Sequence, residues 1–147
     1  AGARHLTSLL CRCNVHCARI NLDHNRLTDV TLGTMSELVS NFRLPLLELR
    51  MEHNLVQGSY GVVNLANALQ AHAMYPVFRA DVRRYTPFVL CLAHNTIDQP
   101  LSMTQVLRDI LGTLPCLAED SRFWELKWQC PAMQLPRFDL QRQRAAR

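Results

Sequence analysis

Apolar residues alternate with others along three short stretches of the chain: Ile20 and Leu22 around Asn21, Leu49 and Met51 around Arg50, and Leu90 and Leu92 around Cys91. A period of two is the mark of a strand with one buried face, so strands are predicted near 18–22, 47–51 and 88–92. After each stretch the spacing changes. Leu32, Met35, Leu38 and Val39, then Val62, Leu65, Ala66 and Leu69, then Met103, Val106, Leu107, Ile110 and Leu111 recur in steps of three and four. Those steps gather the side chains on one helical face, which must pack against the backs of the strands. Each unit is therefore predicted as a strand, a turn and a helix.

The three units share a phrase that ends in Asn: CARINLDHNRL from Cys17, LLELRMEHNLV from Leu46 and PFVLCLAHNTI from Pro87. Aligned on Asn25, Asn54 and Asn95, it reads LxxLxLxxNxL. A buried Asn amide has two donors and an acceptor, which suit the backbone groups left unpaired where a chain turns inward after a strand. These three Asn are predicted to form a structural ladder. The first interval, from Cys17 to Leu46, is 29 residues.

On these phrases, with NRLTDVTLGTMSELV and NLVQGSYGVVNLANALQ, the chain resembles leucine-rich repeat proteins of the ribonuclease-inhibitor-like subclass, from about Cys17 to Leu117. The resemblance implies an α/β fold: a short solenoid with a curved parallel sheet on its concave side and helices on its convex side. Repeats of this kind work by offering a surface. The expected function is a non-enzymatic protein-interaction scaffold or a subunit of a larger assembly. Some members of the subclass regulate GTPases, but with much longer domains.

The ends depart from the pattern. His5–Cys11 reads as the tail of a preceding helix, and FWELKW, from Phe123 to Trp128, reads as a last strand whose Asn position is Pro131. Residues 1–136 are expected to form one domain and 137–147 a basic tail. The second interval, from Leu46 to Pro87, is 41 residues. Its surplus lies in MYPVFRADVRRYT, where Phe78, Ala80 and Val82 alternate with charged residues, predicting either a strand that hairpins into 88–92 or a loop. Insertions often carry binding, which nominates Arg79, Arg83, Arg84 and Tyr85 as partner contacts.

Composition limits the alternatives. At 147 residues, 48% apolar and 19% charged, the chain can bury one sizeable core. Its longest apolar runs fall far short of the roughly 20 residues of a membrane span, so no membrane association is expected. With no initiating Met and no leader pattern, it reads as an excised piece or a processed form. Its six cysteines are expected to be reduced, because Cys17 occupies a core position, and this suggests an intracellular setting, cytoplasmic or nuclear. Of the 16 basic residues all but Lys127 are Arg.

Strand side chains that face away from the core nominate the principal contact surface: Arg19, Asn21 and Asp23; Glu48, Arg50 and Glu52; Val89, Cys91 and Ala93; Glu125, Lys127 and Gln129. The first two rows mix charges, and the third is apolar with an expected exposed thiol at Cys91. Such a gradient suits a protein partner better than a phosphate backbone, which favours a single sign. The alternative is a ribonucleoprotein component whose Arg79, Arg83, Arg84, Arg137, Arg142, Arg144 and Arg147 grip RNA phosphates.

Other chemistry has less support. Cys11, Cys13, His16 and Cys17 offer zinc-ligand types, but the one-residue gap is too short and Cys17 is assigned to the core. His24, His53 and His94 each precede a repeat Asn and should project in a row, a candidate pH-sensitive seam. There is no GxSxG and no phosphate-cradling glycine loop. No catalytic residue, metal, cofactor or small-molecule substrate is expected.

Overall fold

The computed structural model of the chain describes residues 2–111 and the backbone of 133–134. Helix α1 (Gly2–Arg12) is followed by strand β1 (Arg19–Asn21), α2 (Asp29–Asn41), β2 (Glu48–Arg50) and α3 (Tyr60–Ala71). Then come β3 (Val77–Arg79), β4 (Arg84–Thr86), β5 (Phe88–Cys91), α4 (Pro100–Leu111) and β6 (Met133–Gln134). Local chemistry places several boundaries. Helix α2 starts after an extended Thr28 and carries Asp29 in its first turn, where a carboxylate complements the positive end of the helix dipole. Helix α4 opens on Pro100, whose missing N–H costs nothing at that position.

Strands β1, β2, β5 and β6 form one parallel sheet in that order, with Ile20 level with Leu49 and Leu49 level with Leu90. Because each parallel connection must return to the same end of the sheet, α2 links β1 to β2, and α3 with the ribbon links β2 to β5. Ile20, Leu49 and Leu90 all face the helices and join one core with Leu32, Met35, Leu38, Leu65, Leu69, Met103 and Leu107. Each of the fully buried Leu and Met side chains contributes about 1.5–3 kcal/mol by leaving water. Helices α2 and α3 approach closely at Gly61, where an added Cβ would lie 2.6 Å from the Asp29 carbonyl oxygen and 2.8 Å from Leu32 Cβ.

Three expectations are corrected. The curved leucine-rich-repeat solenoid is not what the chain forms: the described residues make four helices with two small sheets, one parallel and one antiparallel, and show neither a solenoid pattern nor a curved sheet. The physical reason is that the strands are only two to four residues long, and the 41-residue interval goes into a separate antiparallel ribbon. That ribbon is the second correction. Residues 77–79 pair with 84–86, Phe78 opposite Tyr85, and not with 88–91. Pro87, with no N–H and a fixed φ, separates β4 from β5. Third, Cys17 is only half-buried at the margin of the core. The expected strand in FWELKW, the row of Glu125, Lys127 and Gln129, and the tail arginines lie outside the described residues.

Candidate functional site

The turns that follow β1, β2 and β5 are built alike. His24, His53 and His94 adopt left-handed backbone conformations, with φ of 57°, 54° and 59°. Such values are uncommon for residues other than Gly but enriched for His, Asn and Asp. An Asn follows each turn, and after the second and third turns it points inward. Asn54 donates to the Leu22 carbonyl at 2.9 Å and to its own turn at Glu52, while its side-chain oxygen accepts the Leu27 N–H at 3.0 Å. Asn95 repeats this one unit on, donating to Met51 at 2.8 Å and accepting the Val56 N–H at 3.0 Å. Both are buried. Asn25 is exposed and donates only within its own turn, to Leu22 and Asp23.

The sheet face opposite the helices carries a connected row of charges. Arg50 sits at its centre, donating to Asp23 at 2.8 Å and to Glu52 at 3.1 Å, with Glu48 4.0 Å away. Glu48 in turn lies 3.4 Å from Arg19, whose side chain is 78% exposed. Burial opposes ionisation of Asp23, but the Arg50 guanidinium and the Glu52 N–H, donated at 2.7 Å, outweigh it and hold the carboxyl below its ordinary value. The bond to Asp23 in turn raises the pKa of Arg50. Three residues nominated as exposed contacts, Glu52, Cys91 and Ala93, are buried and are corrected here. Glu52 is 7% exposed, Cys91 3% and Ala93 9%, so none offers a free surface. Asn21 and Arg19 remain open to solvent, and the Asn21 side-chain oxygen accepts the Asp23 N–H at 2.9 Å.

Beside this row the three imidazoles stack. His24 and His53 ring centroids are 4.2 Å apart and His53 and His94 4.1 Å, with interplanar angles of 12° and 13°. Loss of water around the central ring, and then the charges that His94 and His24 would carry, lower the pKa of His53; Glu52 and Asp23 oppose the shift without reversing it.

The ribbon forms a separate exposed surface. Phe78, 51% exposed, packs edge-on against Tyr85 at 5.2 Å, with Val82 and Met74 also exposed. Arg79 donates to Asp81 at 3.1 Å, which holds the Asp81 carboxyl below its ordinary value and neutralises this arginine. Arg83 is exposed at a left-handed φ of 50°. The open sheet face and the ribbon are thus distinct patches of different character, one charge-paired and one aromatic.

Cys11 and Cys13 are exposed free thiols, while His16 is packed edge-on against Phe42. Among the described residues no group of three or more His, Cys, Asp or Glu is arranged to hold a metal, and no helix is long and apolar enough to cross a membrane. Two contributors were not singled out from the sequence, Tyr75 and Asp29. Tyr75 is buried and donates its hydroxyl to the Leu46 carbonyl at 2.7 Å, and burial pushes its phenol pKa up. Asp29 accepts the N–H groups of Gln57 and Gly58, tying one turn to the next. Phe78 and Val82 are visible in the sequence only as apolar positions of an alternating pattern, which does not disclose that Phe78 stands opposite Tyr85 across the ribbon.

No protein-family model matches this chain, and no curated protein matches it.

Proposed function

We propose that this chain is a non-enzymatic protein-binding module, or a subunit of a larger assembly, that engages its partner through the ribbon and the open face of the parallel sheet. The observation that carries this reading is the ribbon, where Phe78, Val82 and Arg83 are exposed and Phe78 packs edge-on against half-buried Tyr85, with exposed Met74 just ahead of β3. Aromatic, Met and Arg side chains are the types that concentrate binding energy at protein interfaces. The sheet face adds complementarity in charge. Arg19, Glu48 and Arg50 present both signs in a fixed arrangement, so a partner meets groups whose geometry is already set.

The arrangement favours protein over nucleic acid. A phosphate backbone is held by cations free to face it, whereas Arg79 is paired with Asp81, and Arg50 is enclosed by Asp23, Glu48 and Glu52. The exposed free thiols of Cys11 and Cys13 suit a reducing compartment, cytoplasmic or nuclear.

The test is to recover the chain with its partner from native extract, with and without nuclease and across a range of salt. A protein partner retained through nuclease treatment supports the reading. Recovery of RNA, lost steeply as salt rises, would replace it with phosphate recognition by Arg83, Arg84 and the tail.

A further inference from the structure

Two connections meet at one end of the parallel sheet. Parallel strands receive their connections at the same end, so residues 42–47, which lead into β2, and residues 72–87, which lead into β5, lie side by side. Hydrogen bonds tie them together. His72 Nδ1 accepts the Met74 N–H at 3.1 Å, which assigns the ring proton to Nε2, and Nε2 donates it to the Phe42 carbonyl at 2.8 Å. Tyr75 donates its hydroxyl to the Leu46 carbonyl at 2.7 Å. Arg43 and Leu44, between those two carbonyls, are thereby held beside the base of the ribbon, and both are exposed, Leu44 by 57%.

These connections are basic. Together they carry Arg43, Arg79, Arg83 and Arg84 against a single carboxylate, Asp81, which Arg79 takes up. Arg43 and Arg83 are exposed, and neither is ion-paired among the described residues. The turns at the other end of the sheet have the opposite balance, with Asp23, Asp29, Glu52 and Asp98 against Arg26. Interleaved with the cations, on the same two connections, Leu44, Met74, Phe78 and Val82 are exposed.

From this charge balance and the apolar residues within it, we infer that this end of the sheet takes an acidic segment of a partner polypeptide. Carboxylates lie against Arg43 and Arg83, and apolar side chains against Leu44, Met74, Phe78 and Val82. The inference rests on the protein-binding reading above and adds to it the chemistry of the partner and the loop between α2 and β2. A polypeptide supplies both kinds of group within a few residues, whereas a phosphate chain would meet the cations and leave the apolar side chains facing its charge. Opposite charge draws the segment in and orients it, and burial of Phe78 and its neighbours holds it.

The probe is a short synthetic peptide in which Glu and Asp alternate with Leu and Phe, added to the intact chain and followed by backbone amide resonances. It is expected to shift Arg43, Leu44, Phe78, Val82 and Arg83, with an affinity that falls as salt rises. A control peptide with Lys in place of the acids, or with Ser in place of the apolar residues, should bind about tenfold more weakly. Arg43→Glu combined with Arg83→Asp, the second a residue type suited to the left-handed backbone there, should also weaken the acidic peptide about tenfold at low salt, at an unchanged Tm. The three peptides decide on the wild-type chain alone if the double substitution disturbs folding. No shift at these residues, equal binding of either control peptide, or tighter binding of an RNA oligonucleotide or of anionic lipid vesicles at the same residues would overturn the inference. Recovery from nuclease-treated native extract separates it from the reading it rests on. A partner lost with Phe78→Ser/Val82→Ser but kept with Arg43→Glu/Arg83→Asp leaves the ribbon a protein interface and overturns the acidic partner; a partner kept with both removes the ribbon interface itself.

Discussion

Asn54 bridges two turns through Leu22 and Leu27, donating to the first at 2.9 Å and accepting from the second at 3.0 Å, and Asn95 bridges the next two in the same way. Asn25 spans no such gap. Removal of a buried amide strands several backbone groups at once, so Asn54→Ala and Asn95→Ala should each cost about 2–4 kcal/mol in urea unfolding. Asn25→Ala should cost less than about 1 kcal/mol. Three equal losses would mean that the bridging contacts do not hold the turns together.

The charge row predicts a coupled effect. Arg50→Ala leaves Asp23 and Glu52 facing each other without their shared cation, and should lower the stability of the domain in urea unfolding. It should also change the acid limb. The carboxyl of Asp23 is held below its unfolded value of 3.8, so it adds stability above that pH, and the contribution disappears as pH falls through the lower folded value. In Arg50→Ala the acid midpoint of unfolding should therefore move to higher pH. An unchanged midpoint would remove Arg50 as the source of the shift.

The stacked imidazoles give a second pH window. The pKa of His53 is lowered from 6.5, so the unfolded chain binds its proton more readily than the folded one. Its contribution is complete above about 6.5, declines as pH falls through the interval below, and levels off once the folded value is passed. His53→Gln should flatten this part of the profile while leaving stability at pH 7.5 little changed. Parallel profiles for the two proteins between about pH 5 and 7.5 would rule the seam out.

Two glycines separate helix propensity from packing. Both lie in helices, where Gly→Ala ordinarily stabilises by about 0.5–1 kcal/mol. Gly33 meets nothing within 4 Å, so Gly33→Ala should show that gain as a raised Tm. At Gly61 an added Cβ would lie 2.6 Å from α2 backbone, and Gly61→Ala should instead lose about 1–3 kcal/mol as α2 and α3 are forced apart. Equal effects at the two sites would contradict the close approach of these helices.

Much of the local structure could be read from spacing, and its assembly could not. Period-two alternation located the residues of β1, β2 and β5, since which side a strand residue faces depends only on its neighbours in sequence. Whether that side is covered depends on distant residues, which is why Cys91 and Glu52 were assigned to an open surface and lie buried. Arg79 and Arg83 look equivalent in RADVRR, yet only coordinates reveal that Asp81 curls back onto Arg79. The number and phase of the Asn phrases suggest a solenoid with one irregular, 41-residue interval. Pro87 and the pairing of Phe78 with Tyr85, which divert the longer interval into a ribbon, are specific features that a repeat pattern does not encode. The deep hydroxyl contact of Tyr75 with Leu46 follows from the same diversion and carries no periodic signal.

The most direct test of a ribbon-centred protein interface is cross-linking mass spectrometry of the chain in nuclease-treated native extract, comparing wild type with Phe78→Ser/Val82→Ser. The account predicts cross-links from the ribbon and the open sheet face to a protein partner, reduced about tenfold or more in the variant at an unchanged Tm, as expected when exposed anchors are truncated. Equal recovery of the same partner by both proteins, or cross-links confined to the outer faces of α2 and α3, would contradict it.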